Sequence, residues 1–348
     1  MRLVLAVSIG CPSGIGPEVS VVAAARASNV ASVLVGDEAV IRRAARLRRV
    51  AARRLVPVLD RREAALLPPG SIGIFRGSTA MLSPSDPGAP TAEAGAAQLA
   101  WINEAAGLVR SGEADALVTG PVSKLAIATS GAAGAAGFLG HTEHLARLLR
   151  SREVVMAFWS PELCTSLVTT HLPLAEVPAA ITPKGVSASA FWLAHLLRGL
   201  GLSRPRIAVA ALNPHAGEGG LLGREEEERI APGIRLARRR LARAGIEADL
   251  KGPMGAETAY RLAAGRGFDG VVGMYHDQAT IPSKLVSFGE AVNVTLGLPI
   301  IRTSVDHGTA YDLAGTGRAG AGGMEAAMDL AARLASRLAS RLTSNKAR

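Results

Sequence analysis

The stretch FDGVVGMYHDQAT, residues 268–280, decides how the rest of the chain is read. A short apolar run gives out, and a histidine and an aspartate follow side by side. Runs of this length, rich in Val and bounded by Gly or Asp, read as buried strands. Others of the kind are LVLAVSIG (3–10), SVLVGD (32–37), DALVTG (115–120), EVVMAFWS (153–160), TSLVTTH (165–171), RIAVAALN (206–213) and LPIIRTSV (298–305). Helical patterns stand between them, such as AAQLAWINEAAGLVRSG (96–112) and SASAFWLAHLLRGLG (187–201). This alternation predicts an α/β architecture with largely parallel sheets. The tail 326–348 reads as a closing helix.

At 348 residues the chain is comfortable for two domains. Its composition, 48% hydrophobic and 20% charged, is globular. With three Trp, three Tyr and six Phe, the core must be built mostly from Ala, Val, Leu and Ile. No apolar run approaches the ~18 residues of a membrane span. The opening MRLVLAVSIG leads straight into GCPSGIGPE without a cleavage pattern, so it reads as a first strand rather than a signal peptide. Cys11 and Cys164, far apart in sequence, are expected as reduced thiols in a cytoplasmic protein. The net charge of +10 is concentrated in IRRAARLRRVAARR (41–54) and IRLARRRLARAG (234–245). Both read as helices with Arg on one side, and neither carries the stacking aromatics of a nucleic-acid surface. Solvated helix faces are expected there, with no nucleic acid and no membrane as partner.

Ligands of open α/β sheets bind beyond the carboxyl ends of the strands. Four of the seven histidines fall there: His171, His215, His276 and His307. Such a clustering points to convergence on one cleft. His195, inside a helix pattern, reads as a packing residue. His141 and His144 lie one helical turn apart, a spacing that more often serves packing than a metal. GCPSGIGPE (10–18) is a strand-to-helix turn whose amides could meet an anion, but it matches neither the dinucleotide fingerprint nor the Walker A loop. GTGRAG (315–320) matches G-x-G-x-x-G, yet no strand runs into it. TGPVSK (119–124) ends another strand, with Lys124 available to an anion or to solvent.

Taken in order, GIGPE (14–18), VTGPVSK (118–124), GHTEH (140–144), TTHLPL (169–174), LNPHAGEGG (212–220), YHDQ (275–278), FGEAVNVTLGLPIIRTSVDHGTA (288–310) and DLAG (312–315) resemble the 4-hydroxythreonine-4-phosphate dehydrogenase family of pyridoxine biosynthesis. The resemblance spans residues 3 to about 320. It implies two α/β/α domains around a central cleft, as in the isocitrate and isopropylmalate dehydrogenase group. The expected division is 1–126 plus 300–348, carrying the cofactor loop, and 127–299, carrying metal and substrate ligands.

The resemblance also implies roles. A divalent metal is held by His171, His215 and His276, the last from the partner subunit of a homodimer. Substrate contacts fall on His141, Thr142, Lys284, Asn293 and Arg302. HGTAYDLAG resembles the cofactor loop, which places His307, Gly308, Thr309, Ala310 and Asp312 against NAD or NADP. Asp277 and Lys284 are the candidate catalytic residues. The implied reaction oxidises 4-phosphooxy-L-threonine to 2-amino-3-oxo-4-phosphooxybutanoate, which loses carbon dioxide to give 3-amino-2-oxopropyl phosphate. Three imidazoles suit zinc or cobalt better than magnesium, although the family tolerates several metals.

Two sister activities stay open, on four-carbon sugar-acid phosphates (threonate or erythronate 4-phosphate) and on a dihydrodiol. A three-histidine metallohydrolase and a basic binding module are the more distant alternatives. Departures from the family pattern fall at Cys11, where an acidic residue is usual, at Ala279, at Gly255–Glu257 and in the Ala/Gly-rich segment 125–139.

Overall fold

The computed structural model describes residues 2–78, 82 and 87–346. Its strands are β1 (Val4–Ser8), β2 (Ala31–Val35), β3 (Leu55–Val58), β4 (Ile72–Phe75), β5 (Ala116–Thr119), β6 (Val155–Trp159), β7 (Cys164–Leu167), β8 (Arg206–Ala210), β9 (Asp249–Met254), β10 (Gly270–Gly273), β11 (Val292–Leu296) and β12 (Arg302–Val305). The chain divides into two compact units, Met1–Arg152 with Leu298–Arg348, and Glu153–Gly297. The α/β class expected from the alternating runs is what is found.

In the first unit the strand order is β3-β4-β2-β1-β5-β12, all parallel. The apolar opening of the sequence is β1, near the middle of this sheet and buried along its whole length. A parallel strand covered on both faces needs a continuous apolar run rather than an alternating one. In the second unit the order is β11-β6-β7-β10-β8-β9. Here β6 runs antiparallel to both neighbours, while β7, β10, β8 and β9 are parallel. Ala279, a departure from the family pattern, is fully buried in a cluster with Tyr260, Phe268 and Val271.

Several sequence expectations change. Residues 127–152, expected in the second domain, fold with the first unit. The helix His141–Leu148 is tied there by His144, whose Nε2 lies 2.6 Å from Asn103 Oδ1. The basic run 41–54 is not one helix. The helix Glu38–Leu47, capped by Asp37 onto the Val40 amide, stops before Arg49, which takes a left-handed φ of 56°. Residues 55–58 then form β3, with Pro57 tolerated on an edge strand. Nor are all these arginines solvated. Arg48 donates to Ala319 O and Arg54 to Gly70 O, and Arg240 lies 3.8 Å over the Phe191 ring. The closing helix is Gly322–Lys346; the last two residues of the expected tail lie outside the described residues. No helix among the described residues is long and apolar enough to cross a membrane.

Candidate active site

The functional residues fall into two groups, one in each unit. In the second unit, three neighbouring parallel strands end beside one another, and each leads to a histidine. His171 follows β7, His276 follows β10 and His215 follows β8. The strand ends are tied together. Thr169 Oγ1 donates to Met274 O at 2.8 Å. The Gln278 amide accepts from Met274 N at 2.6 Å and donates to Ala211 O at 2.9 Å, which links the β10 and β8 exits.

The rings of His171 and His276 stand 5.6 Å apart, centre to centre. Two imidazoles on one tetrahedral ion, with metal–nitrogen bonds of about 2.1 Å, place their ring centres about 5 Å apart. The pair therefore fits a nitrogen-ligated divalent ion. His276 Nδ1 lies 2.6 Å from Asp277 Oδ1. An ionised carboxylate only accepts, so Nδ1 donates, and in the neutral ring the lone pair then lies on Nε2, where a metal could take it. A His-Asp pair at the strand end can act in this way, the aspartate holding its neighbour in one tautomer. Among the described residues of one chain, no three His, Cys, Asp or Glu side chains gather as a metal-binding group.

His215 is exposed and sits in an unusual piece of backbone. Residues His215–Gly219 all have positive φ, between 43° and 80°, so PHAGEGG forms a left-handed turn. Each non-glycine residue in such a turn costs ~1–2 kcal/mol. His215, Ala216 and Glu218 all bear that cost here. Lys284 lies exposed on the helix His276–Val286, and Asn293 lies on β11 opposite Phe158 of β6.

In the first unit, Arg302 opens β12 beside β5 and is only 3% exposed. Its Nη2 donates to Thr119 Oγ1 at 2.7 Å. Burial pushes its pKa down to about 9, partly offset by nearby Glu143, so it remains a cation at neutral pH. His141 and Thr142 open the helix His141–Leu148. Burial, with Arg302, His144 and Lys124 nearby, holds His141 well below its usual pKa, hence neutral. Its Nε2 is shut off from solvent and has no hydrogen-bond partner among the described residues. A buried, unmatched polar atom beside a cation and a helix N-terminus marks a place for an anionic ligand. Lys124 belongs to this group as well: its ammonium stands 3.8 Å from where a Cβ on Gly140 would lie. His144, bound to Asn103, is structural.

Residues of the segment 307–315, which the resemblance places against the cofactor, pack on the Gly-rich turn 10–18 of the same unit. Ile15 N donates to Thr309 O at 2.9 Å, and a Cβ at Gly14 would stand 2.8 Å from that oxygen. Glu18 Oε1 accepts from Gly315 N at 2.7 Å. Ala310 takes a left-handed φ of 42°, and His307 Nδ1 lies 3.0 Å from Gly308 O. Asp312 is exposed. A cavity of about 150 Å³ adjoins this junction, lined by Pro12, Gly14, Arg43, Leu47, Pro87 and Gly315. Cys11 is buried, its thiol pKa raised by burial, with Sγ 3.6 Å from the Tyr311 hydroxyl. No strand enters 315–320, so that G-x-G-x-x-G match is not a Rossmann turn.

The profile of the pyridoxal phosphate biosynthetic protein PdxA family matches residues 28–331. The chain belongs to the PdxA family. Among curated PdxA relatives, 4-hydroxythreonine-4-phosphate dehydrogenase of Desulfosudis oleivorans is 41% identical over 332 residues, 94% of this chain and 95% of the relative. A crystal structure of 4-hydroxythreonine-4-phosphate dehydrogenase from Klebsiella pneumoniae superposes with a TM-score of 0.83 at 34% identity, covering 96% of this chain and 100% of that one. A terephthalate 1,2-cis-dihydrodiol dehydrogenase from Burkholderia xenovorans is similar at a TM-score of 0.66 and 30% identity, covering 96% and 98%. A nicotinamide cofactor is what a PdxA dehydrogenase requires.

Proposed function

We propose that the chain is a 4-hydroxythreonine-4-phosphate dehydrogenase. It oxidises the secondary hydroxyl of 4-phosphooxy-L-threonine with NAD or NADP and releases carbon dioxide from the resulting β-keto acid. The observation that carries this reading is the family match over most of the chain, together with a buried cation, an unmatched neutral imidazole and a helix N-terminus in one place.

Arg302, His141 and Thr142 would hold the phosphate, with Lys124 adding charge. His171 and His276 would supply imidazole nitrogens to zinc or a similar divalent ion, and Asp277 would keep His276 in the donor tautomer. When bound, the metal would lower the pKa of the substrate hydroxyl and polarise the ketone. Lys284 and Asn293 would meet the non-phosphate end of the substrate, and the loop 307–312 would meet the cofactor.

The enzyme would work as a homodimer. Exposed apolar side chains flank both histidine-bearing elements: Ile281, Leu285 and Phe288 follow His276, and Leu221 and Leu222 follow His215. Contiguous apolar exposure of this kind fits burial against a second copy. The 5.6 Å ring separation supports His171 and His276 of one chain acting together, and since no third such ligand gathers with them among the described residues, His215 of a second copy would complete the set, in place of the partner's His276 that the resemblance implied.

The test follows absorbance of the reduced cofactor with a panel of four-carbon acids, each with and without a 4-phosphate. 4-Phosphooxy-L-threonine should give the highest kcat/KM. Removing its phosphate should cost about 10³-fold, since a buried cation left unpaired costs several kcal/mol. Equal rates with and without the phosphate would overturn the reading and favour a dihydrodiol-type substrate.

A further inference from the structure

The left-handed turn that carries His215 needs something to hold it, because three of its non-glycine residues occupy an unfavourable backbone region. Besides the backbone bonds from Leu221 N to Glu218 O and Leu222 N to Gly217 O, a buried carboxylate is placed to do so. Glu226, 4% exposed, lies on the helical segment that follows the turn. Its Oε1 accepts from Leu212 N and Asn213 N, both at 2.8 Å, and its Oε2 accepts from Asn213 Nδ2 at 2.9 Å. Glu225 takes the second proton of the same amide at 2.7 Å. The two residues thus secured lead directly through Pro214 into His215.

On the other side of the carboxylate lies Gly217, the buried member of the turn. A Cβ there would stand 2.8 Å from Glu226 Oε2, so the turn and the carboxylate are fitted to each other. A carboxylate that accepts three hydrogen bonds from the entrance to a turn, while packed under its centre, fixes both its path and its tilt.

We propose that Glu226 is a positioning residue that sets the His215 imidazole for metal binding by bracing the left-handed turn. The inference rests on the reading of His215 as a metal donor. Outer partners of metal ligands typically change affinity by about 10–100-fold when lost, and here the partner acts through the backbone.

The test uses the full chain and cobalt(II), whose affinity is measured by competition with a chromogenic chelator and whose visible spectrum reports nitrogen ligation. Glu226→Gln turns an acceptor on Asn213 into a competing donor. It should weaken cobalt binding about 10–100-fold and alter the spectrum, while KM for the nicotinamide cofactor stays unchanged. Trp192→Phe, which removes a hydrogen bond to Glu153 elsewhere in the same unit, should lower Tm without moving cobalt affinity. His215→Ala sets the scale. If it leaves cobalt affinity unchanged, the metal reading fails and takes this proposal with it. If it weakens binding while folded Glu226→Gln binds cobalt like wild type, the proposal alone fails. Should Glu226→Gln not fold, Asn213→Ala, which removes only the side-chain bonds to Glu225 and Glu226, must weaken binding severalfold. Wild-type affinity in that variant overturns the brace.

Discussion

Replacing Arg302 by lysine keeps a cation in the sequence but not in the pocket. Arg302 is buried, and burial brings its pKa from 12.5 to about 9. The same burial acting on a lysine, ordinarily near 10.4, would lower it from a starting value already below that of arginine. Anion affinity depends on the charged form. It is therefore present below the pKa and lost as pH rises through it, at lower pH in the variant than in the wild type. Lysine also lacks the planar fork and the donor that reaches Thr119. A charge-assisted hydrogen bond contributes ~1.5–3 kcal/mol, or roughly 10–150-fold. Arg302→Lys should thus lose about 10–100-fold in kcat/KM at pH 6.5, and progressively more as pH rises, because the lysine loses its charge at lower pH than the arginine. The assay is initial-rate formation of reduced cofactor from 4-phosphooxy-L-threonine between pH 6.5 and 9, where the substrate phosphate is mostly a dianion. Competitive inhibition by inorganic phosphate serves as a second measure. Parallel pH profiles for variant and wild type would refute the placement of the phosphate at Arg302.

Exhaustive chelation should abolish turnover, and His171→Ala should do the same with Tm nearly unchanged; full activity in a sample shown to be metal-free by elemental analysis would exclude the metal reading. Asp277→Asn, which replaces the acceptor on His276 Nδ1 by a group able to donate, should weaken metal binding about 10–100-fold by titration, and wild-type affinity would show that the 2.6 Å contact is incidental. Inactive His171→Ala and His276→Ala proteins, mixed and re-associated, should stay inactive, because both rings serve the same site. His171→Ala mixed with His215→Ala should regain activity, and the reverse pattern would return His276 to the partner's site.

Much of the site was legible because strands carry local signals. The runs that became β1, β2, β5, β8 and β10 are buried along most of their length, so each appears as a largely apolar segment, whereas β12, equally buried, is RTSV and shows only through the apolar residues before it. Their ends could be read off, and with the run that ends in His171 they marked His171, His215 and His276; Arg302, which opens β12, was implied only by the family resemblance. Less visible were β3, with a proline in it, β4, with an internal glycine, and β9, whose Lys251-Gly252-Pro253 interrupts any apolar pattern. An edge position or a neighbouring strand made these segments strands; their own composition did not.

Residue types, strand order in the chain and the strand-end histidines are properties of sequence, since burial on two faces and the period of a helix leave their mark within a dozen residues. The pairing of His171 with His276, the seating of the loop 307–315 on the turn 10–18, and the union of His141 with Arg302 depend on which strands lie side by side. So does the support of a left-handed turn by Glu226, eleven residues beyond His215, because a carboxylate's partners are chosen by where the backbone folds back. Such contacts follow from spatial adjacency, and adjacency across a parallel sheet is set by crossovers that no local window of sequence contains.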